Sequence, residues 1–146
     1  MKRIWIALTA VLTVLLCGCQ DNENTNASDY EKDISKAQEI AVISSDTSEV
    51  IETITDTDDI KKFVSALNVD EWKLKILPDE LTQIGSFGLA QEETIKLGQT
   101  DTDGTLYDLA AITLYEGEYI GLEIGGLDMT FEVSEETADY LNGYFE

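Results

Sequence analysis

Histidine is absent from all 146 residues, cysteine occurs only at positions 17 and 19, and the single proline is Pro78. The missing histidine excludes Ser-His-Asp and Cys-His arrangements, imidazole general bases and most zinc chemistry. With no cysteine after Cys19, the rest of the chain has no internal disulfide, thiol nucleophile or zinc–thiolate site. Its fold rests on the apolar core alone. Serine–lysine catalysis lacks an S-x-x-K spacing beyond Cys19, and Ser35-Lys36 is merely an adjacent pair. Basic residues are also scarce, nine against 30 acids, for a net charge of −21. Such a surface repels nucleic-acid phosphates and anionic headgroups, and it favours cations, basic peptides or a basic protein partner.

The uncharged stretch is at the start. Lys2 and Arg3 precede Ile4 to Leu16 with no charge, and Leu16-Cys17-Gly18-Cys19 follows. A basic n-region, a short apolar run and a small residue before the cut mark a secretory signal. The run is shorter than the ~20 residues a comfortable membrane span needs. Gly18 before Cys19 and Leu16 three places upstream resemble the lipobox of bacterial lipoproteins, whereas the bulky Leu16 directly before Cys17 does not suit that position. The resemblance covers about the first 19 residues. It implies that residues 1–18 are removed, that Cys19 carries diacylglycerol and acyl chains of the palmitate type, and that the protein is held at the extracytoplasmic face of the cell membrane. Two such chains, at about 0.8 kcal/mol per buried CH2, anchor stably. Loss of Lys2 and Arg3 leaves seven bases against 30 acids, a net charge of −23.

Gln20 to Asp33 is polar, acidic and poor in aliphatics, so residues 19–36 read as the acylated cysteine and a flexible tether. Fourteen such residues reach about 20 Å r.m.s.. Residues 37–146 read as one globular domain. Ile40 to Ile43 and Val50 to Ile54 are β-rich runs around a polar turn, a hairpin pattern. Ile60, Phe63, Val64 and Leu67 make one helical face behind acids at Asp56, Asp58 and Asp59. Trp72, Leu74 and Ile76 alternate as a strand that Pro78 ends, and Asp79 to Gln91, with Gly85 and Gly88, reads as a loop. Ile95/Leu97, Ala110/Ile112/Leu114, Ile120/Leu122/Ile124 and Leu127/Met129/Phe131/Val133 then predict a four-stranded meander with one wet face. Gly125-Gly126 reads as a two-residue turn. Ser134 caps a last helix with Ala138, Leu141 and Phe145 on one side. The expected fold is α+β: a single two-layer domain, an antiparallel sheet with two amphipathic helices on one face. This order also resembles small lipoproteins of Gram-positive bacteria, a likeness that carries no functional residue.

Motifs for chemistry are sparse. The glycines at 121, 125 and 126 do not open a helix after a strand, so they are not a dinucleotide loop. Asp101-Thr102-Asp103-Gly104 is the best cation candidate, through Asp101 and Asp103, but Gln99 and Ala110 fall where an EF-hand needs its anchoring acids. An Asp-Gly turn is the favoured account, and no metal is expected. Asp56, Asp58 and Asp59 read as helix-start acids. Tyr107, Tyr115 and Tyr119 are expected to share the wet face as a binding platform. No cofactor is expected. The functional expectation is a lipid-anchored, non-catalytic binding module for a basic protein, peptide or cation, with an envelope inhibitor or immunity-type protein as the alternative and a carboxylate hydrolase third. Partners are the membrane, through the lipid, and a basic protein or peptide, not nucleic acid.

Overall fold

The computed structural model describes residues 27–93, 95 and 97–146; the signal segment and Cys19 lie outside the described residues. Seven strands form one antiparallel sheet: β1 (Glu39–Ser44), β2 (Val50–Ile54), β3 (Lys73–Leu74), β4 (Gln83–Glu92), β5 (Leu106–Tyr115), β6 (Tyr119–Ile124) and β7 (Leu127–Glu132). Their spatial order is β2-β1-β4-β5-β6-β7-β3, so β2 and β3 are the edges. Three helices, α1 (Ser28–Ile34), α2 (Thr57–Ala66) and α3 (Glu135–Asn142), supply side chains to one apolar cluster with the sheet. The domain is α+β in two layers.

The alternation read from the sequence places the core. Ile40 and Val42 of β1, Phe87 and Leu89 of β4, Ile112 and Leu114 of β5, Ile120 and Leu122 of β6 and Phe131 of β7 are buried. Ile60, Phe63, Val64 and Leu67 from α2 and Ala138 and Leu141 from α3 cover them. Asp56 caps α2, its Oδ1 accepting from the amides of Asp58 at 2.9 Å and Asp59 at 3.1 Å. Ser134 caps α3 by accepting from the Thr137 amide at 3.3 Å. Such caps each contribute about 0.5–2 kcal/mol. Gly125 and Gly126 take φ of 59° and 80°, the pair of positive values that a tight β6–β7 hairpin needs.

Three local expectations are corrected. The acidic segment expected to stay unordered is helical over Ser28–Ile34, because Ala27, Tyr30 and Ile34 recur at i, i+3 and i+7 and pack into the core. The stretch expected as a loop, Asp79 to Gln91, contains β4, the long central strand, while Ile95 and Leu97, expected in a strand, are exposed beyond its end. The strand expected from Trp72 to Ile76 is only Lys73–Leu74, since Val69–Glu71 forms a 3-10 turn and Trp72 is tucked inward, its Nε1 donating to the Leu67 carbonyl at 2.6 Å.

Gly85 explains part of β4's disguise. A Cβ there would overlap the Phe145 ring and sit 2.8 Å from the Ile43 carbonyl oxygen. Glycine is needed at that point so that the aromatic ring can approach the strand backbone. At Gly88 a Cβ would meet only Ile43 Cδ1, at 3.9 Å. Gly85→Ala is therefore expected to lose about 1–3 kcal/mol, read from urea unfolding midpoints, and Gly88→Ala to leave the midpoint nearly unchanged. Equal midpoints for the two variants would contradict the packing described.

Candidate functional site

Where β2, α2 and α3 meet, a cleft of about 300 Å³ is lined by Glu52, Asp56, Asp59, Lys62, Tyr140 and Tyr144 among others. Each arrives by a simple rule. Glu52 sits mid-strand on the edge strand β2, opposite Val42. Asp59 and Lys62 are three apart on the first turns of α2 and form an ion pair at 2.8 Å, both ends open to water. Tyr140 and Tyr144 are four apart, on α3 and the turn that follows it, and their hydroxyl oxygens are 2.9 Å apart.

The tyrosines are rooted in an aromatic cluster. Phe63 lies 5.1 Å from Phe87, 6.1 Å from Tyr140 and 5.9 Å from Tyr144, centroid to centroid. Tyr144 stands edge-on to Phe87 at 5.5 Å and to Tyr140 at 5.6 Å. Tilted and edge-on pairs at these spacings hold rings in fixed orientations. The cleft floor is therefore rigid, while its rim carries the charges.

Electrostatics assign the proton states. Burial, then the Tyr140 hydroxyl, then the negative charges of Glu52 and Asp59, raise the Tyr144 phenol above its ordinary value. It keeps its proton. Within the pair one hydroxyl donates to the other, which leaves one O–H to point elsewhere. The hydrogen bond to Asp59, then its charge, raises Lys62, which stays an ammonium. The cleft thus offers carboxylate acceptors, one cation and one spare hydroxyl donor.

Of the residues singled out from sequence, Asp56 and Asp59 line this cleft and the others fall elsewhere. Asp56 is committed to its cap, and Asp59 reaches this cleft. Asp103 Oδ1 accepts from the Thr105 amide at 2.9 Å, an Asx turn around Gly104 at φ 77°, and that bond lowers the Asp103 carboxyl. Asp101 is exposed nearby, with Thr102 bonded to Glu92. Among the described residues no three Asp or Glu side chains are grouped to hold a metal ion.

The three tyrosines expected on one face are divided. Leu89 pairs with Ala110 but Ala90 pairs with Asp108, so Leu109 is an extra residue, a β-bulge in β5. Tyr107 pairs with Gln91 and is turned to the helix-facing side, 49% exposed. Tyr115 stays on the wet face, its ring 3.6 Å from where a Gly121 Cβ would be, and Tyr119 neighbours it across the β5–β6 hairpin. Sequence reasoning missed Glu52, Lys62, Tyr140 and Tyr144. The i, i+4 spacing of the two tyrosines was the available signal; the approach of β2 to them was not readable.

No protein-family model matches this chain, and no curated protein matches it. Among solved structures the chain is similar to a thioesterase-like protein from Clostridium sporogenes, at 17% identity and a TM-score of 0.42, over 77% of this chain and 96% of that chain. The expectation of a non-catalytic binding module, with an inhibitor as its alternative, is corrected at this point: the similar structure bears the name of an enzyme type, and the module reading goes no further. A likeness at that level transfers no activity and no residue. Among the described residues no helix is long and apolar enough to cross a membrane.

A raised Tyr144 gives a titration with a definite sign. The folded state holds this proton more tightly than the unfolded chain, so the associated stability is complete below the unfolded value near pH 10 and is lost as pH rises above it. Tyrosinate absorbance is expected to show one phenol lagging behind the exposed tyrosines, and Tyr144→Phe to abolish the lag. Uniform titration of every tyrosine in the folded protein would refute the assignment.

Proposed function

We propose that this protein is a lipid-anchored, extracytoplasmic hydrolase of small ester-type substrates, working in the cleft between β2, α2 and α3. The observation that carries the reading is the convergence of Glu52, the Asp59–Lys62 pair and the Tyr140–Tyr144 hydroxyl pair on one recess over a rigid aromatic floor. Glu52 is an exposed carboxylate on β2 that can take a proton from water as the water attacks a carbonyl carbon. The spare tyrosine proton and the Lys62 ammonium answer the negative charge that grows on the carbonyl oxygen, and as the adduct collapses the bond to the leaving oxygen or sulfur breaks and that atom takes the proton held by Glu52. A chain without histidine, and without cysteine past Cys19, has carboxylates as its available bases of this kind. The acid-rich rim favours neutral or cationic substrates over anionic ones.

The placement rests on the lipobox resemblance at Leu16-Cys17-Gly18-Cys19. Wild-type protein is expected to incorporate labelled palmitate and to sediment with membranes, whereas Cys19→Ala incorporates none. Failure of the wild type to take up the label would remove the anchor. Turnover is assayed with a panel of chromogenic esters and acyl thioesters. Glu52→Gln is expected to lower kcat/KM by about 10²–10⁴, with an unchanged circular dichroism spectrum because Glu52 is exposed. Activity equal to wild type in that variant would sink the hydrolase reading.

A further inference from the structure

The edge of the sheet opposite the cleft carries a second unused feature. Past Trp72, the chain runs along β7: Lys73 pairs with Glu132, Leu74 with Phe131, and the Lys75 amide donates to the Thr130 carbonyl at 2.9 Å. Trp72 packs on Phe131, centroid to centroid at 5.3 Å, but that cover stops short of this edge. Leu74 is 62% exposed, Ile76 93% and Leu127 53%. Leu74 shares the face of its partner Phe131, and Leu127, four residues along β7, shares it by alternation. The result is an aliphatic ledge flanked by Lys73 and Lys75, two of the seven bases that follow residue 18.

A place next to the chain's entry point distinguishes this ledge from scattered surface leucines. Helix α1 packs against the Val69–Glu71 turn, which leads directly through Trp72 into β3. With only seven residues, α1 is about 10 Å long, so Ala27 lies within about that distance of the turn that leads into β3, although α1 also touches β5. Eight peptide steps separate Cys19 from Ala27, at most about 28 Å when fully extended. A lipid on Cys19 therefore holds this edge of the domain within a short reach of the bilayer, whereas the β2 edge lies across the full width of the sheet, about 30 Å away.

We infer that the Leu74–Ile76–Leu127 ledge rests on the zwitterionic surface of the bilayer to which the chain is anchored, an inference that depends on the lipid anchor and not on the hydrolase chemistry. Exposed aliphatics enter the headgroup boundary, while Lys73 and Lys75 alternate with them on the other side of the strand, Lys75 lying 3.9 Å from Glu132. The acidic remainder of the surface is left facing water, and it disfavours anionic lipid. In this pose the cleft beside β2 opens away from the membrane, toward soluble substrates.

The processed lipoprotein in phosphatidylcholine vesicles supplies the test. Ile76→Cys carries an environment-sensitive dye, and Val50→Cys, 57% exposed on the far edge, carries the same dye as control. Flotation reads the anchor; emission reads the ledge. The expected result is a blue shift, with quenching by lipid-borne quenchers, at position 76 and not at position 50. Floating protein with water-like emission at both positions overturns the ledge and leaves the anchor standing. A shift at position 76 that persists in detergent and grows with protein density assigns the ledge to a second copy, which also overturns it. Protein that does not float at all removes the anchor, and this inference falls with it.

Discussion

The geometry of the helical layer depends on how the end of α2 is tied off. The last carbonyls of a helix have no partner within it, and burying them bare costs about 1–3 kcal/mol each. Here Thr137, buried among apolar neighbours, donates from Oγ1 toward the Ala66 and Leu67 carbonyls at 3.2 and 3.3 Å. Trp72 Nε1 donates to the Leu67 carbonyl as well, and Asn68 Nδ2 reaches both the Ala66 carbonyl and Thr137 Oγ1. Asn68 makes the turn possible by taking φ 46°, a conformation that asparagine tolerates better than most residues. One small polar knot therefore joins the end of α2, the start of α3 and the entry to β3.

The candidate cleft follows from that knot. With Thr137 fixed against the end of α2, Tyr140 lies one turn further along α3 and Tyr144 two turns, over Phe63 and Phe87. The strand β2 then brings Glu52 alongside through its register with β1. Packed rings beneath and solvent-exposed charged groups above give the cleft an ordered floor and a polar rim. Asp59 has a structural and an electrostatic part there: it adds negative charge at the start of α2, holds Lys62, and helps keep the proton on Tyr144.

Period and punctuation made much of the fold legible. The i, i+3, i+4, i+7 pattern of α2, the Gly125-Gly126 turn and the alternation through β5 to β7 each carry their own geometry. What escaped was set by contacts distant in sequence. Gly85 and Gly88 look like loop residues until Phe145 is known to lie on one of them. Leu109 reads as a member of an alternating run, and only its pairing with β4 reveals that it is extra and that Tyr107 is turned from Tyr115. Ile34 looks incidental in an acidic stretch, yet it is fully buried. The cleft was less legible still, because its carboxylate, ammonium and phenols come from three elements whose meeting is a tertiary event.

The pairing of β1 with β4 also dictates an order of assembly. Val42 meets Phe87 only after α2, β3 and the intervening loop have been traversed, whereas β4 to β7 join neighbour to neighbour. Non-local pairings of this sort must wait for loop closure before any contact rewards it. While the chain is made amino end first, the β1–β2 hairpin has nowhere to bury Ile40 and Val42 until β4 has emerged. Holding that hairpin out of aggregates during this interval falls to its own acids, Glu39, Glu49 and Glu52, so the surplus of negative charge guards the unfinished chain as well as dissolving the finished one.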